Sequence, residues 1–204
     1  MGRSLSRRPP AGMGLGATFR HGDARDASSN ANTMTVSGAT FSHPSAYDFD
    51  GSNDEITSST FTASLPLTLS AWVNPDSFSG LSIAYYGSVD DEYGIVMVPT
   101  GFWALSQVGN ANVQAESTTT INFGTWYHVV GAFVSSTSRK IYVDGVLQGE
   151  QSAFSAPSPS SPALKIGERW HISQRFDGEI SDVRLYNKEL TANEIATIYQ
   201  EGRR

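Results

Sequence analysis

Three oxygen-bearing side chains, Asp50, Asn53 and Asp54, fall within a five-residue stretch. Hard oxygen donors of this kind suit Ca2+, which gathers roughly six to eight oxygens from carboxylates, carbonyls and water. The same residue types also build turns without any metal, because Asp and Asn bond their own backbone. A second acidic run, Asp90-Asp91-Glu92, has no basic residue near it in the chain and reads as solvated turn charge. Aromatic residues crowd one region, at Tyr85, Tyr86, Tyr93, Phe102 and Trp103, while Trp170-His171 stands among polar neighbours. An aromatic face against a sugar ring, with amide or acid hydrogen bonds at its rim, is how such residues hold a glycan. Tyr93, Trp103, Trp170 and His171 are the candidate ligand contacts.

Patterns that would carry catalysis are missing. Glu179 and Asp182 are three positions apart, so on a strand they leave opposite faces and cannot share one cleft. His21, His43, His128 and His171 show no ligand spacing. There is no cysteine, hence no thiolate nucleophile and no disulfide. No Gly-x-Ser-x-Gly elbow occurs, and Gly12, Gly14 and Gly16 lack the strand and helix of a phosphate loop. The chain is therefore expected to be non-enzymatic.

From about residue 39 onward, short period-two runs alternate with turn residues. Leu67–Val73 alternates apolar and small polar residues and stops at Asn74-Pro75. Further strands are expected at 83–86, 94–98, 102–105, 126–134, 164–167 and 180–186. Lys140–Val143 meets Asp144-Gly145, and Val146-Leu147 continues, which is a hairpin signal. Trp72 and Trp126 are expected in the core. His128 alternates with Trp126 and Val130 and reads as a core histidine. At the C-terminus Thr191-Ala192-Asn193-Glu194 forms a capping box, with Leu190 and Ile195 as its hydrophobic staple. The fold class expected is all-β: an antiparallel jelly-roll sandwich with one short C-terminal helix.

Several of these segments resemble the laminin-G-like, concanavalin-A-like jelly-roll family, in the family's order over residues 40–200. Tyr47–Ile56, with Phe49-Asp50-Gly51, is similar to the opening strand, and Ser70-Ala71-Trp72-Val73 to the next core strand. Thr125–Val130 resembles the W-x-H-V strand, and Ile141–Gly145 the L-Y-V-D-G hairpin. Phe176–Tyr186 resembles the closing strand, and Leu190–Ile195 the helix that follows it. The resemblance implies that the first and last strands are neighbours, bringing Asp182 towards Asp50, Asn53 and Asp54 as a fourth calcium ligand. It also implies a range of roles, from lectins and carbohydrate-binding modules to virion surface proteins. The paired carboxylates of the family's glucanases, E-x-D-x-x-E on one strand, do not occur here.

Charge and composition frame the rest. The chain has 204 residues, 39% hydrophobic, with a net charge of −6. Residues 1–26 carry Arg3, Arg7, Arg8, Arg20 and Arg25 against two aspartates, and no Lys or Arg lies between Asp26 and Ser138. So acidic a body disfavours nucleic acid and anionic membrane as partners. Residues 1–38, rich in glycine, proline and arginine, read as an extended arm, and 39–204 as the sandwich. Removing the arm is expected to leave the sandwich folded. No secretory signal is seen, because no apolar stretch follows the first arginines. These features favour a virion surface protein, such as a capsid cement or tail component, in which the arm docks on a larger assembly and the chain forms a homo-oligomer. The alternative is a free extracellular lectin-like module that binds glycans, with or without calcium.

Overall fold

The computed structural model describes residues 13–20, 23–28, 30–42, 45–78, 81–169 and 174–202. Its first strands are β1 (Met13–Arg20), β2 (Asp23–Asp26), β3 (Met34–Ser37), β4 (Thr40–Ser42), β5 (Ala46–Asp50) and β6 (Glu55–Ser58). Longer strands follow: β7 (Leu67–Pro75), β8 (Ser82–Ser88), β9 (Asp91–Val98), β10 (Gly101–Val108) and β11 (Ala111–Glu116). The chain closes with β12 (Tyr127–Ser135), β13 (Ser138–Val143), β14 (Val146–Gln151), β15 (Ala163–Ile166), β16 (Asp177–Tyr186) and α1 (Ala192–Gly202).

These strands form two sheets. The nine-stranded sheet runs β14-β13-β12-β7-β16-β1-β2, with β5 on the first half of β16 and β4 outside β5. The seven-stranded sheet runs β11-β10-β9-β8-β15-β6-β3. Period-two alternation drives the stacking. On β7, Leu67, Leu69, Ala71 and Val73 enter the core between the sheets. Ile95, Met97, Phe102 and Ala104 enter it from the facing sheet. The expected jelly-roll sandwich is thus present.

The outer face of the nine-stranded sheet is apolar too, and α1 covers part of it. Val130, Ala132, Tyr142 and Tyr186 pack against Leu190, Ile195 and Ile198. The buried Thr68 hydroxyl accepts from Leu190 N at 3.0 Å and donates to Lys188 O at 2.8 Å, which fixes where the helix begins. The capping box forms as read from sequence. Glu194 N donates to Thr191 Oγ1 at 3.3 Å, and Thr191 N donates to Glu194 Oε2 at 2.8 Å. The Asp144-Gly145 turn joins β13 to β14 with both residues at positive φ.

Three placements differ from expectation. Residues 13–37 are not set apart as an arm. β1 pairs with the second half of β16, Leu15 opposite Leu185 and Ala17 opposite Val183, while β3 pairs with β6. Sheet edges are extended through backbone hydrogen bonds, so such strands need no apolar periodicity. Trp126 is only half-buried, and Tyr127 beside it enters the core. Trp72 and His128 are buried, but beneath α1 rather than between the sheets.

Candidate functional site

The outer face of the seven-stranded sheet gathers more chemistry than any other described surface. Side chains on β8, β9 and β10 that alternate with the core residues form a second apolar cluster. Tyr85, Val96, Val98 and Leu105 build it, and half-buried Trp103 packs against it. Tyr85 pairs with Gly94 across the β8–β9 ladder and its ring lies over that glycine. A Cβ at Gly94 would fall 2.3 Å from the ring.

A buried ion pair borders the platform. Glu92 is 2% exposed and Arg169 8% exposed, and Arg169 Nε donates to Glu92 Oε1. The guanidinium carbon also sits 5.2 Å from the centre of the Tyr85 ring, a cation–π contact. Burial pushes the Tyr85 phenol well above its ordinary value, against the opposing pull of Arg169. Further out, Lys165 Nζ bridges Glu55 at 2.7 Å and Glu168 at 3.2 Å, and Arg175 reaches Glu168 at 2.9 Å. Burial raises the Glu55 carboxyl, but hydrogen bonding and charge from Lys165 overcome it and the net shift is downward. On the opposite border, the ladder places Asn112, Gln114 and Glu116 of β11 across from Gln107, Leu105 and Trp103. An indole over an aliphatic floor, fixed charges on one side and amides on the other, can stack a ring and bond its hydroxyls.

Of the candidate ligand contacts, Trp103 lies on this platform. Tyr93 does not: it points into the core, packs edge-on against Phe133 at 5.1 Å and donates to Pro157 O at 3.2 Å. Trp170 and His171 lie outside the described residues. Glu92 is not solvated turn charge but the buried partner of Arg169. The run Asp91–Val98 alternates, so Glu92 shares a face with Gly94, Val96 and Val98, and that spacing was the available signal.

Strand pairing does not bring Asp182 to Asp50, Asn53 and Asp54. β5 does lie beside β16, but the register sets Asp177, not Asp182, opposite Asp50. Asp182 occupies a bulge at φ 47° and both its oxygens accept from Arg184, each at 2.7 Å. The Asp54 carboxylate accepts from Asp50 N at 2.9 Å, and that of Asp50 from Ser52 N at 2.8 Å, the turn bonding such residues make without metal. The register instead gathers Asp48 with Asp76, Glu179 and Asp177, and burial together with these charges raises the Asp48 carboxyl. Among the described residues no group of three or more His, Asp or Glu side chains is arranged to hold a metal ion. Arg3, Arg7 and Arg8 lie outside the described residues. Arg20 sits on β1 opposite Asp23, and Arg25 is exposed on β2. No helix among the described residues is long and apolar enough to cross a membrane.

Comparison with known proteins accords with the fold. Residues 49–196 match the family model of the concanavalin A-like lectin/glucanases superfamily, and the chain belongs to that family. It is similar in structure to domain 4 of AbnA, an extracellular GH43 arabinanase from Geobacillus stearothermophilus solved with arabinotriose. The TM-score is 0.77 at 20% identity, over 92% of this chain and 98% of that domain. It is also similar to the binding domain of botulinum neurotoxin DC, solved with rat synaptotagmin II, at a TM-score of 0.79 and 14% identity. That match covers 93% of this chain and 51% of the neurotoxin domain, so the chain spans about half its length. A structure of the same domain with SialylT gives a TM-score of 0.78 at 13% identity, over 93% of this chain and 51% of that one. No curated protein matches the sequence.

Proposed function

We propose that this chain is a non-catalytic glycan-binding domain that acts through the outer face of its seven-stranded sheet. The observation that carries the reading is the half-buried Trp103 on an apolar floor, bordered by the Glu92–Arg169 pair and by the Asn112, Gln114 and Glu116 strip. Aromatic stacking with flanking hydrogen bonds is the chemistry of sugar recognition. Two similar domains, the arabinanase domain and the neurotoxin binding domain, were solved with arabinotriose and with SialylT. The carboxylates one would enlist for hydrolysis are engaged elsewhere: Glu92 by Arg169, Glu179 by Ser42 and Asn74, and Asp182 by Arg184.

The test is a glycan array followed by titration of the best ligand into wild type and Trp103→Ala. Loss of a stacked ring is expected to weaken binding about ten-fold in a variant that still unfolds cooperatively. Equal affinity in the variant, or an array without any hit, overturns the reading.

A further inference from the structure

Where the two sheets meet at one edge, β11 and β14 close the sandwich over only part of their length. At one end Thr118 Oγ1 donates to Gln148 Oε1 at 2.8 Å. Next to it Gly149 presses against β11 so closely that a Cβ there would fall 2.1 Å from Glu116 O. Beyond this clasp the strands part, leaving a groove of about 420 Å3. Asn112, Gln114 and Glu116 line one side, and Glu150, Gln151 and Ala153 the other. The second wall is anchored from beneath. Arg139, 1% exposed, donates from Nη1 to Ala153 O at 3.0 Å, and Ser155 N donates to Ser136 O at 2.7 Å. Phe154, next in the chain after Ala153, is 73% exposed.

The lining fits one ligand chemistry. Amides donate and accept, and carboxylates accept, as neighbouring hydroxyls require. Two carboxylates and no lysine or arginine line the groove, so a uronate, sulfate or sialate would be repelled and would gain no ion pair. Glu116 lies directly across the β10–β11 ladder from Trp103, so the groove continues the Trp103 platform. From Glu116 to Asn112 the strand rises roughly 13 Å, longer than one sugar ring.

Resting on the glycan-binding reading, we infer that the β11–β14 groove takes successive units of a neutral oligosaccharide whose neighbouring unit stacks on Trp103. The domain then reads the interior of a hydroxyl-rich chain, and its affinity grows with chain length until the groove is filled.

The test is calorimetric titration of the full chain with neutral gluco-, xylo- and arabino-oligosaccharides, from the monosaccharide to the hexasaccharide, with polygalacturonate as the anionic probe. Gln151→Ala, on the β14 wall away from Trp103, is expected to weaken the longer ligands about ten-fold and to leave the shortest bound ligand unchanged. Trp103→Ala weakens every length. Glu116→Gln combined with Glu150→Gln is expected to admit polygalacturonate, which wild type refuses. Cooperative thermal unfolding of each variant shows that it folds. Wild-type affinity at all lengths in Gln151→Ala, or equal uptake of polygalacturonate and neutral chains by wild type, overturns the inference. Length-independent binding that Trp103→Ala abolishes overturns the groove alone and leaves the glycan reading standing. No binding of any glycan by wild type removes both.

Discussion

His128 on β12 and Tyr199 on α1 lie with ring centres 6.0 Å apart and planes 26° from parallel, and Trp72 completes the stack at 5.2 Å from the histidine. The helix is thus held over the sheet by an imidazole that is 3% exposed. Burial lowers its pKa from 6.5 to about 4; Asp182 nearby opposes this and Arg184 reinforces it. Asp144 Oδ1 accepts from His128 N, and α1 carries two acids, Glu194 and Glu201.

The sign of the pH effect follows from that direction. Above pH 6.5 the imidazole is neutral in both folded and unfolded chains, and stability is complete. Between 6.5 and about 4 the unfolded chain takes up a proton that the folded chain refuses, so stability falls as pH falls. The loss reaches about 3 kcal/mol and then levels off. Urea unfolding at pH 7 and pH 4.5 measures it. In His128→Phe the loss should shrink by most of that amount; an unchanged pH dependence would assign it to other groups.

The Glu92–Arg169 pair makes a different prediction. Removing one member leaves the other charge buried, at a cost of roughly 3–5 kcal/mol, whereas removing both leaves no such charge. Arg169→Met alone should therefore destabilise strongly, and Glu92→Gln with Arg169→Met by clearly less than the sum of the singles. A double-mutant cycle by urea unfolding reads the coupling, and additive losses would show that the two do not stabilise one another.

How much of this could be read from sequence depended on the range of the interaction. The Asp144-Gly145 turn and the Thr191–Glu194 cap are local chemistry, and both were legible. Glu92 was not, because its partner Arg169 is 77 residues away. Tyr85 and Tyr93 were hard to assign because both faces of the seven-stranded sheet are apolar. In Ile95-Val96-Met97-Val98 alternation separates two faces without saying which is the core, and the bulge between Ser82 and Ala84 shifts the parity of β8. The strip Asn112, Gln114 and Glu116 became a feature only once the register set it beside Trp103.

Gly94 offers a check on the platform itself. The Tyr85 ring lies where a side chain at Gly94 would be, so Gly94→Ala must displace the ring or bend β9. The expected cost is roughly 1–3 kcal/mol. Adding Tyr85→Ala should make Gly94→Ala nearly harmless in that background. If Gly94→Ala is equally costly with and without Tyr85, the ring does not set the spacing.

The N-terminal strands give the last prediction, which reverses an expectation from sequence. β1 hydrogen-bonds the second half of β16, and β3 hydrogen-bonds β6, so each continues a sheet rather than trailing from it. Deleting residues 1–37 strips both ladders, uncovers two sheet edges, and removes the packing of Ala24 and Met34 against the core. Stability should fall by on the order of 2–5 kcal/mol, given about 1 kcal/mol for each of several net hydrogen bonds. Exposed edges should also make the shortened chain prone to self-association, which light scattering detects. A truncated chain with the urea midpoint of the full chain, monomeric under the same conditions, would show that β1–β3 are not part of the stable sandwich.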